Sequence, residues 1–200
     1  MKEEYLKQME EYADENNIPI MNKRGINFLC KFIEQNDIRN ILEIGTAIGY
    51  SASKMAMCGR NVHVISIERD QERYIEAVKN IKKLKLDKKI TLVLGDANDL
   101  SINFGDEKFD LILIDAAKAQ YLKFFKKFEN NLADDGVFIS DNMNFHGYVD
   151  AESEIKSKNL RQLITKLKKY ITFLEENDKY DTKFYKVGDG LAITAKKGVF

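Results

Sequence analysis

Proline is nearly missing from this chain. The single one, Pro19, sits in the extended break Ile18-Pro19-Ile20-Met21. No proline-rich linker, low-complexity tract or internal repeat interrupts the remainder, so the 200 residues read as one domain. Cysteine is scarce too. Cys30 and Cys58 both fall inside apolar helical patterns, and no C-x-x-C or Cys/His ligand spacing occurs. That excludes zinc modules and disulfide scaffolds and predicts two buried, reduced thiols. Charge of one sign is not in excess. Lys plus Arg and Asp plus Glu both total 32, which excludes a globally basic nucleic-acid binder and leaves only local patches. The charged start, Met1-Lys-Glu-Glu-Tyr5, has no signal-peptide core. No apolar run approaches the ~18 residues that span a bilayer. A cytoplasmic protein without membrane contact is expected. The G-x-G-x-x-G of dinucleotide folds is also missing, which argues against a nicotinamide oxidoreductase.

What is present is alternation. Helices are predicted over 2–15 and 23–35, then strand 40–44, helix 50–58, strand 62–67, helix 70–84, strand 90–94, strand 109–114, helix 118–131, strand 136–140 and a long helix over 153–175. Strands 179–187 and 190–196 close the chain, joined by Gly188-Asp189, a two-residue hairpin signal. The pattern predicts an α/β fold with a mostly parallel sheet in which the hairpin reverses one strand. Ligands in such sheets bind beyond the carboxyl ends of the strands.

The unusual polar residues collect at those ends. Ile41-Leu-Glu-Ile-Gly-Thr-Ala-Ile-Gly-Tyr-Ser51 reads as strand, glycine turn and helix opening. Gly45 and Gly49 permit close backbone approach, and the turn should aim free N–H groups at a ligand. Glu43, buried in an apolar strand, needs a partner, which a cationic ligand group would supply. Glu68 ends the second strand, where an acid can accept both hydroxyls of a ribose; the plain alternative is a charge at a helix N-terminus. Asp96, before Ala97, can take the amino group of an adenine or simply cap a turn. Asp115, Asp141 and Asn142 end strands four and five, which should be neighbours. Three hard oxygen donors there suit Mg²⁺, Ca²⁺ or Mn²⁺. Each alone could be a helix cap, but two adjacent carboxylates without a cation would repel. Lys118 opens the next helix and could act as base or charge stabiliser, although most lysines are solvated. His63 reads as structural, and His146 lies near the mouth. Three basic stretches, over 79–89, 118–127 and 156–169, are solvated faces by default; one reaching the site would attract phosphates.

Together these segments resemble the class I S-adenosylmethionine-dependent, metal-dependent O-methyltransferases, the catechol and caffeoyl-CoA group. The resemblance is strongest to the bacterial branch that methylates 5-hydroxyuridine at the tRNA wobble position. It rests on Ile18-Pro-Ile-Met21, Leu42 to Ser51, Ile67-Glu-Arg69, Gly95-Asp-Ala97, Ile114-Asp-Ala-Ala-Lys-Ala-Gln-Tyr121, Asp141-Asn142 and Val187-Gly-Asp-Gly-Leu-Ala-Ile193. It implies a Rossmann-like methyltransferase domain over 1–200, with a helical cap over 1–36 and an α/β core over 37–200. The sheet would have seven strands, mostly parallel with an antiparallel last strand, and helices on both faces. It further implies that Met21, Glu43, Gly45 and Ser51 surround the methionine part of the cofactor. Glu68 would take the ribose, and Asp96 with Ala97 the adenine. Asp115, Asp141 and Asn142 would hold Mg²⁺ (or Mn²⁺), Asp115 also lying close to the cofactor, and Lys118 would flank the acceptor oxygen. A homodimer acting on tRNA follows, with a small catechol or CoA ester as the other acceptor and a non-catalytic cofactor- or RNA-binding module as the reading from another class. Two departures stand out. The chain starts close to the helix before Ile18-Pro19, so a leading helix that many relatives carry is expected to be missing. Ala117 replaces the polar residue that plant and animal enzymes place against the cofactor.

Overall fold

Short runs of Ile, Leu and Val build most of the strands, and their alternation decides which layer a side chain joins. A computed structural model describes residues 2–144 and 157–200. Strands β1 (Asn40–Ile44), β2 (His63–Glu68), β3 (Ile90–Leu94), β4 (Phe109–Ile114), β5 (Leu132–Ser140), β6 (Tyr180–Tyr185) and β7 (Leu191–Lys196) form one sheet. Its order is β3-β2-β1-β4-β5-β7-β6. The pairs from β3 through β5 are parallel, whereas β7 runs against both β5 and β6. This is the expected Rossmann-like arrangement with a reversed last strand.

Ile41 of β1 and Leu111 and Leu113 of β4 face α1 (Lys2–Glu15), α2 (Lys23–Gln35) and α3 (Tyr50–Met57). Leu42 of β1 and Ile112 and Ile114 of β4 face α5 (Tyr121–Phe128) and α6 (Lys158–Glu175). The second layer is aromatic: Phe125 stacks on Phe138 at 4.1 Å and meets Tyr180 and Phe173 edge-on. Helix α4 (Gln71–Lys83) links β2 to β3 and is capped by Asp70, which accepts from Arg73 N–H at 3.0 Å.

Boundaries move in three places. The predicted helix over 118–131 is a 3₁₀ turn at Lys118–Gln120, then α5, then a second 3₁₀ turn at Glu129–Asn131. Strand β5 begins at Leu132, before the predicted 136, although Asp134 and Asp135 on it are exposed. Gly188-Asp189 does form a turn, closed by Gly190 N–H to the Val187 carbonyl at 3.0 Å. It lies within a five-residue loop, because the strands stop pairing at Tyr185 and Leu191. His146, Lys156 and the predicted helical start at 153–156 lie outside the described residues. Among the described residues no helix is long and apolar enough to cross a membrane. His63 is exposed, and Cys30 and Cys58 are free thiols, half-buried between α2 and α3 and not fully enclosed.

Strand order reverses between β1 and β4, since β2 and β3 lie on one side of β1 and β4 and β5 on the other. A crevice opens at the carboxyl ends of strands at such a reversal.

Candidate active site

A cleft of about 300 Å³ occupies that crevice. Met21, Gly45, Ser51, Glu68, Asp96, Ala97, Asp115, Lys118, Asp141 and Asn142 all line it. These include every site residue expected from the sequence except Glu43.

Glu43 stands one layer behind the wall, fully buried. Its partners are Ser51 Oγ, which donates at 2.5 Å, and Ser66 Oγ, its register neighbour on β2. The expected cationic ligand group is therefore replaced by two hydroxyls. Burial pushes the Glu43 carboxyl up to about 7, against the pull of those two hydrogen bonds. Glu43 reaches the cleft only by orienting Ser51.

The glycine turn also differs from expectation. Gly45 and Thr46 N–H both donate to the Ile67 carbonyl, Gly49 N–H to Thr46, and Ala47 N–H to Glu68 Oε2 at 2.8 Å. These four amides are occupied within the protein and do not point free at a ligand. What Gly45 supplies is room. At φ +105° its missing Cβ would lie 2.0 Å from the Asp115 carbonyl oxygen. Asp115 N–H in turn donates to the Ile44 carbonyl, holding the ends of β1 and β4 together.

Glu68 is preset by the same turn. Its Oε1 accepts from Asp70 N–H at 2.9 Å and Oε2 from Ala47, so both oxygens are fixed at the cleft wall with lone pairs to spare. Asp96 is exposed and folds an Asx turn, its Oδ1 accepting from Asn98 N–H at 2.8 Å. Ala97 is held by Lys127 Nζ, which donates to its carbonyl at 2.6 Å.

At the far end of the cleft, Asp115 and Asp141 each follow the last residue of β4 and β5, and those last residues, Ile114 and Ser140, are register partners. Asp141 is buried. Its backbone is fixed by N–H donation to the Ile114 carbonyl and by Tyr121 Oη donating to its own carbonyl at 3.1 Å. Asp141 Oδ1 and Asn142 Oδ1 are buried without a hydrogen-bond partner. Asn142 takes a left-handed backbone, φ +60°, a strain that asparagine tolerates better than most residues. Buried acceptors left unpaired cost about 1–3 kcal/mol each, so such a pair signals a missing partner. Burial raises both carboxyls above the ordinary range; Asp115 raises Asp141 further, and Lys118 opposes the rise in each. Lys118 is half-buried, and burial lowers its ammonium below the usual lysine value against the attraction of Asp115, Asp141 and Asp189. No cluster of three or more His, Cys, Asp or Glu side chains suited to a metal occurs among the described residues. Two carboxylates and an amide, with two unpartnered oxygens, nevertheless fit a hard divalent cation.

Asp189 and Gln120 are among the cleft residues the sequence did not single out. Asp189 accepts from Asn22 Nδ2 at 3.0 Å, tying the β6–β7 loop to the start of α2. The carbonyls of Asp189 and Gly190 accept from Asn144 and Met143 N–H, so this loop also anchors the segment after Asn142. Gln120 lines the cleft with a buried Oε1 that has no partner. A polar residue in a turn at the strand ends was the available signal for Asp189, but only the sheet order brings that turn beside β5.

The acid-end geometry makes stability pH-dependent. Folded-state values of Glu43, Asp115 and Asp141 all lie above the unfolded ones, so the folded chain keeps protons that the unfolded chain releases. Stability then falls as pH rises from ~4 through about 8. Urea midpoints in EDTA should be lower at pH 8 than at pH 5, and Mg²⁺ should restore more stability at pH 8. A midpoint independent of pH and of Mg²⁺ would contradict both the burial and the cation fit.

Residues 1–197 match the model of a family described as O-methyltransferase. The chain belongs to this O-methyltransferase family. It is a methyltransferase by family, and its fold is that of O-methyltransferases solved with bound S-adenosylmethionine or SAH. A caffeoyl-CoA O-methyltransferase-like protein from Staphylococcus aureus is 35% identical, covers 96% of this chain and 91% of its own, and superposes with a TM-score of 0.91. The O-methyltransferase from Bacillus cereus in complex with SAH shares 22% identity and the fold, with a TM-score of 0.82 over 97% of this chain and 91% of that one. The flavonoid 3',5'-methyltransferase of Vitis vinifera is 26% identical over 184 residues, which is 88% of this chain and 77% of that protein.

Proposed function

We propose that this O-methyltransferase acts on a hydroxyl with a second oxygen on the neighbouring carbon, and that its acceptor is 5-hydroxyuridine at the tRNA wobble position. The observation that carries the reading is the pair of unpartnered buried oxygens, Asp141 Oδ1 and Asn142 Oδ1, beside Asp115 at the end of a cleft that begins at Glu68 and Asp96. In this reading Asp96 and Ala97 receive the adenine, Glu68 the ribose, and Met21 and Ser51 the methionine part. Asp115, Asp141 and Asn142 hold Mg²⁺, with Mn²⁺ as the alternative. When bound, the cation supplies Lewis-acid stabilisation of the acceptor oxyanion. The acceptor hydroxyl loses its proton to Lys118 Nζ as base, and burial moves the lysine ammonium in the direction that role needs. The oxygen then attacks the sulfonium methyl in line, forming the O–C bond as the C–S bond breaks and S-adenosylhomocysteine leaves. Alignment of oxygen, carbon and sulfur by the cleft walls supplies much of the rate.

The run Ile114 to Tyr121, with Ala117, resembles the tRNA-acting branch and supports the RNA acceptor. A small catechol or CoA ester is the second reading, favoured by relatives such as the caffeoyl-CoA O-methyltransferase of Medicago sativa, 27% identical over 83% of this chain and 70% of that protein. Labelled methyl transfer to tRNA rich in 5-hydroxyuridine, run beside a free catechol and with and without EDTA, separates them. Chelator-sensitive label in tRNA is the expected result. Label only in the catechol would move the enzyme to the small-molecule reading, and label in neither would leave a binding module.

A further inference from the structure

The chain has 32 residues of each charge, but they are unevenly spread. Helix α5 carries three basic residues and no acid; α6 carries five, with Glu175 at its last position as the only acid. Helix α1, on the opposite face of the sheet, is acidic. The two basic helices are neighbours. Lys126 Nζ lies over the Phe173 ring of α6 at 5.8 Å, and Phe125 packs edge-on against the same ring at 5.2 Å. Lys123, one helical turn before Lys126, shares its face; Lys166 and Lys169, seven and four residues before Phe173, share the face of that ring. All four lysines are exposed.

Their height relative to the cleft is fixed by Tyr170, whose Oη is 2.8 Å from Oγ of Ser140, the residue before Asp141. The part of α6 before Tyr170 therefore stands at and beyond the carboxyl edge of the sheet, about 18 Å of helix at 1.5 Å per residue. It packs there against the Lys118–Gln120 turn, which lines the cleft. The other large basic group, Lys82, Lys83, Lys85 and Lys88, lies between the end of α4 and the start of β3, at the opposite edge of the sheet.

We propose that Lys123, Lys126, Lys166 and Lys169 form a strip that grips the phosphate backbone of RNA and sets which nucleotide reaches the cleft. This rests on the RNA reading above. A chain without net charge gains no general attraction for a polyanion, so its affinity must come from a local strip, and backbone contacts of this kind position the ligand without reading its sequence.

The test uses the full chain, an anticodon stem-loop containing 5-hydroxyuridine, and binding measured across a salt series. Lys166→Glu/Lys169→Glu should weaken binding at least ~10-fold and flatten the log K against log salt slope by about 1.5 to 2, the share of two phosphate contacts. Methyl transfer to free 5-hydroxyuridine should be unchanged in the same variant. Lys82→Glu/Lys83→Glu should leave RNA affinity within about twofold. Equal weakening by both pairs, or no weakening by the first, would overturn the strip while the RNA acceptor stands. Wild-type protein that binds no stem-loop, or that binds anionic phospholipid vesicles instead, would overturn the strip together with the RNA reading.

Discussion

Asp141→Ala should reduce methyl transfer about 10²–10⁴-fold while S-adenosylmethionine still binds. Stabilising the acceptor oxyanion through a held cation is worth several kcal/mol, and each ~1.4 kcal/mol is tenfold in rate. Cofactor binding should survive because Asp141 follows β5, whereas Glu68 and Asp96 stand at the ends of β2 and β3, across the sheet from it. The fold should survive as well. Its backbone contacts, N–H to Ile114 and carbonyl to Tyr121, survive in alanine; the hydrogen bond lost is the one its carboxyl accepts from the Asn142 backbone. Removing a buried carboxylate beside Asp115 also relieves repulsion, so the variant should resist urea at least as well as the parent at pH 8 in EDTA. Single-turnover transfer and a calorimetric cofactor titration measure the two halves. Undiminished transfer by this variant with EDTA present would end the case for a metal.

Gly45→Ala should fail for a different reason, and more completely. Its new Cβ would sit 2.0 Å from the Asp115 carbonyl oxygen and 3.2 Å from Ala116 Cα, both backbone, at φ +105°. No rotamer change can relieve that. Either β4 shifts away from β1 or the turn unwinds, and each moves Asp115 and the cleft wall together. Backbone strain of about 1–3 kcal/mol and overpacking of similar size add to roughly 3–5 kcal/mol, a large part of typical domain stability. Cofactor binding should be lost in whatever fraction remains folded. Gly105→Ala is the control, since it also has positive φ, +53°, but no atom lies within 4 Å of its added Cβ. Urea denaturation of the two variants should show a small loss for Gly105→Ala and a large one for Gly45→Ala. Equal losses would mean that backbone conformation, not contact with Asp115, is what Gly45 provides.

Strands β1 to β4 were legible because each is a largely apolar run bounded by turn residues, and the cleft was legible because its polar residues sit where such runs stop. What escaped the sequence was set by pairing between distant segments. Glu43 looked as though it awaited a cation, since nothing near it in sequence shows that Ser66 would be its register partner on β2. The amides of the glycine turn looked free, since their acceptors, the Ile67 carbonyl and Glu68 Oε2, come from the end of the next strand. Asp189 looked like a hairpin residue only, because its approach to the cleft depends on β7 inserting beside β5. Helix α5 was drawn too long because the flanking segments Lys118–Gln120 and Glu129–Asn131 hold no proline or glycine to mark a break, yet adopt the tighter 3₁₀ winding.

Insertion of β7 between β5 and β6 has a consequence for biosynthesis. A ribosome delivers β6 before β7, yet β6 has no pairing partner in the sheet except β7. The emerging chain can assemble β1 to β5 in order, but its sixth strand must wait unpaired until the seventh has left the exit tunnel. Met143 and Asn144 wait as well, since their amides are held by Gly190 and Asp189 in the loop that joins the two strands. The Asp141 end of the cleft is thus completed only near the end of translation, and a prematurely terminated chain would retain the Glu68 end while lacking the anchor for the other.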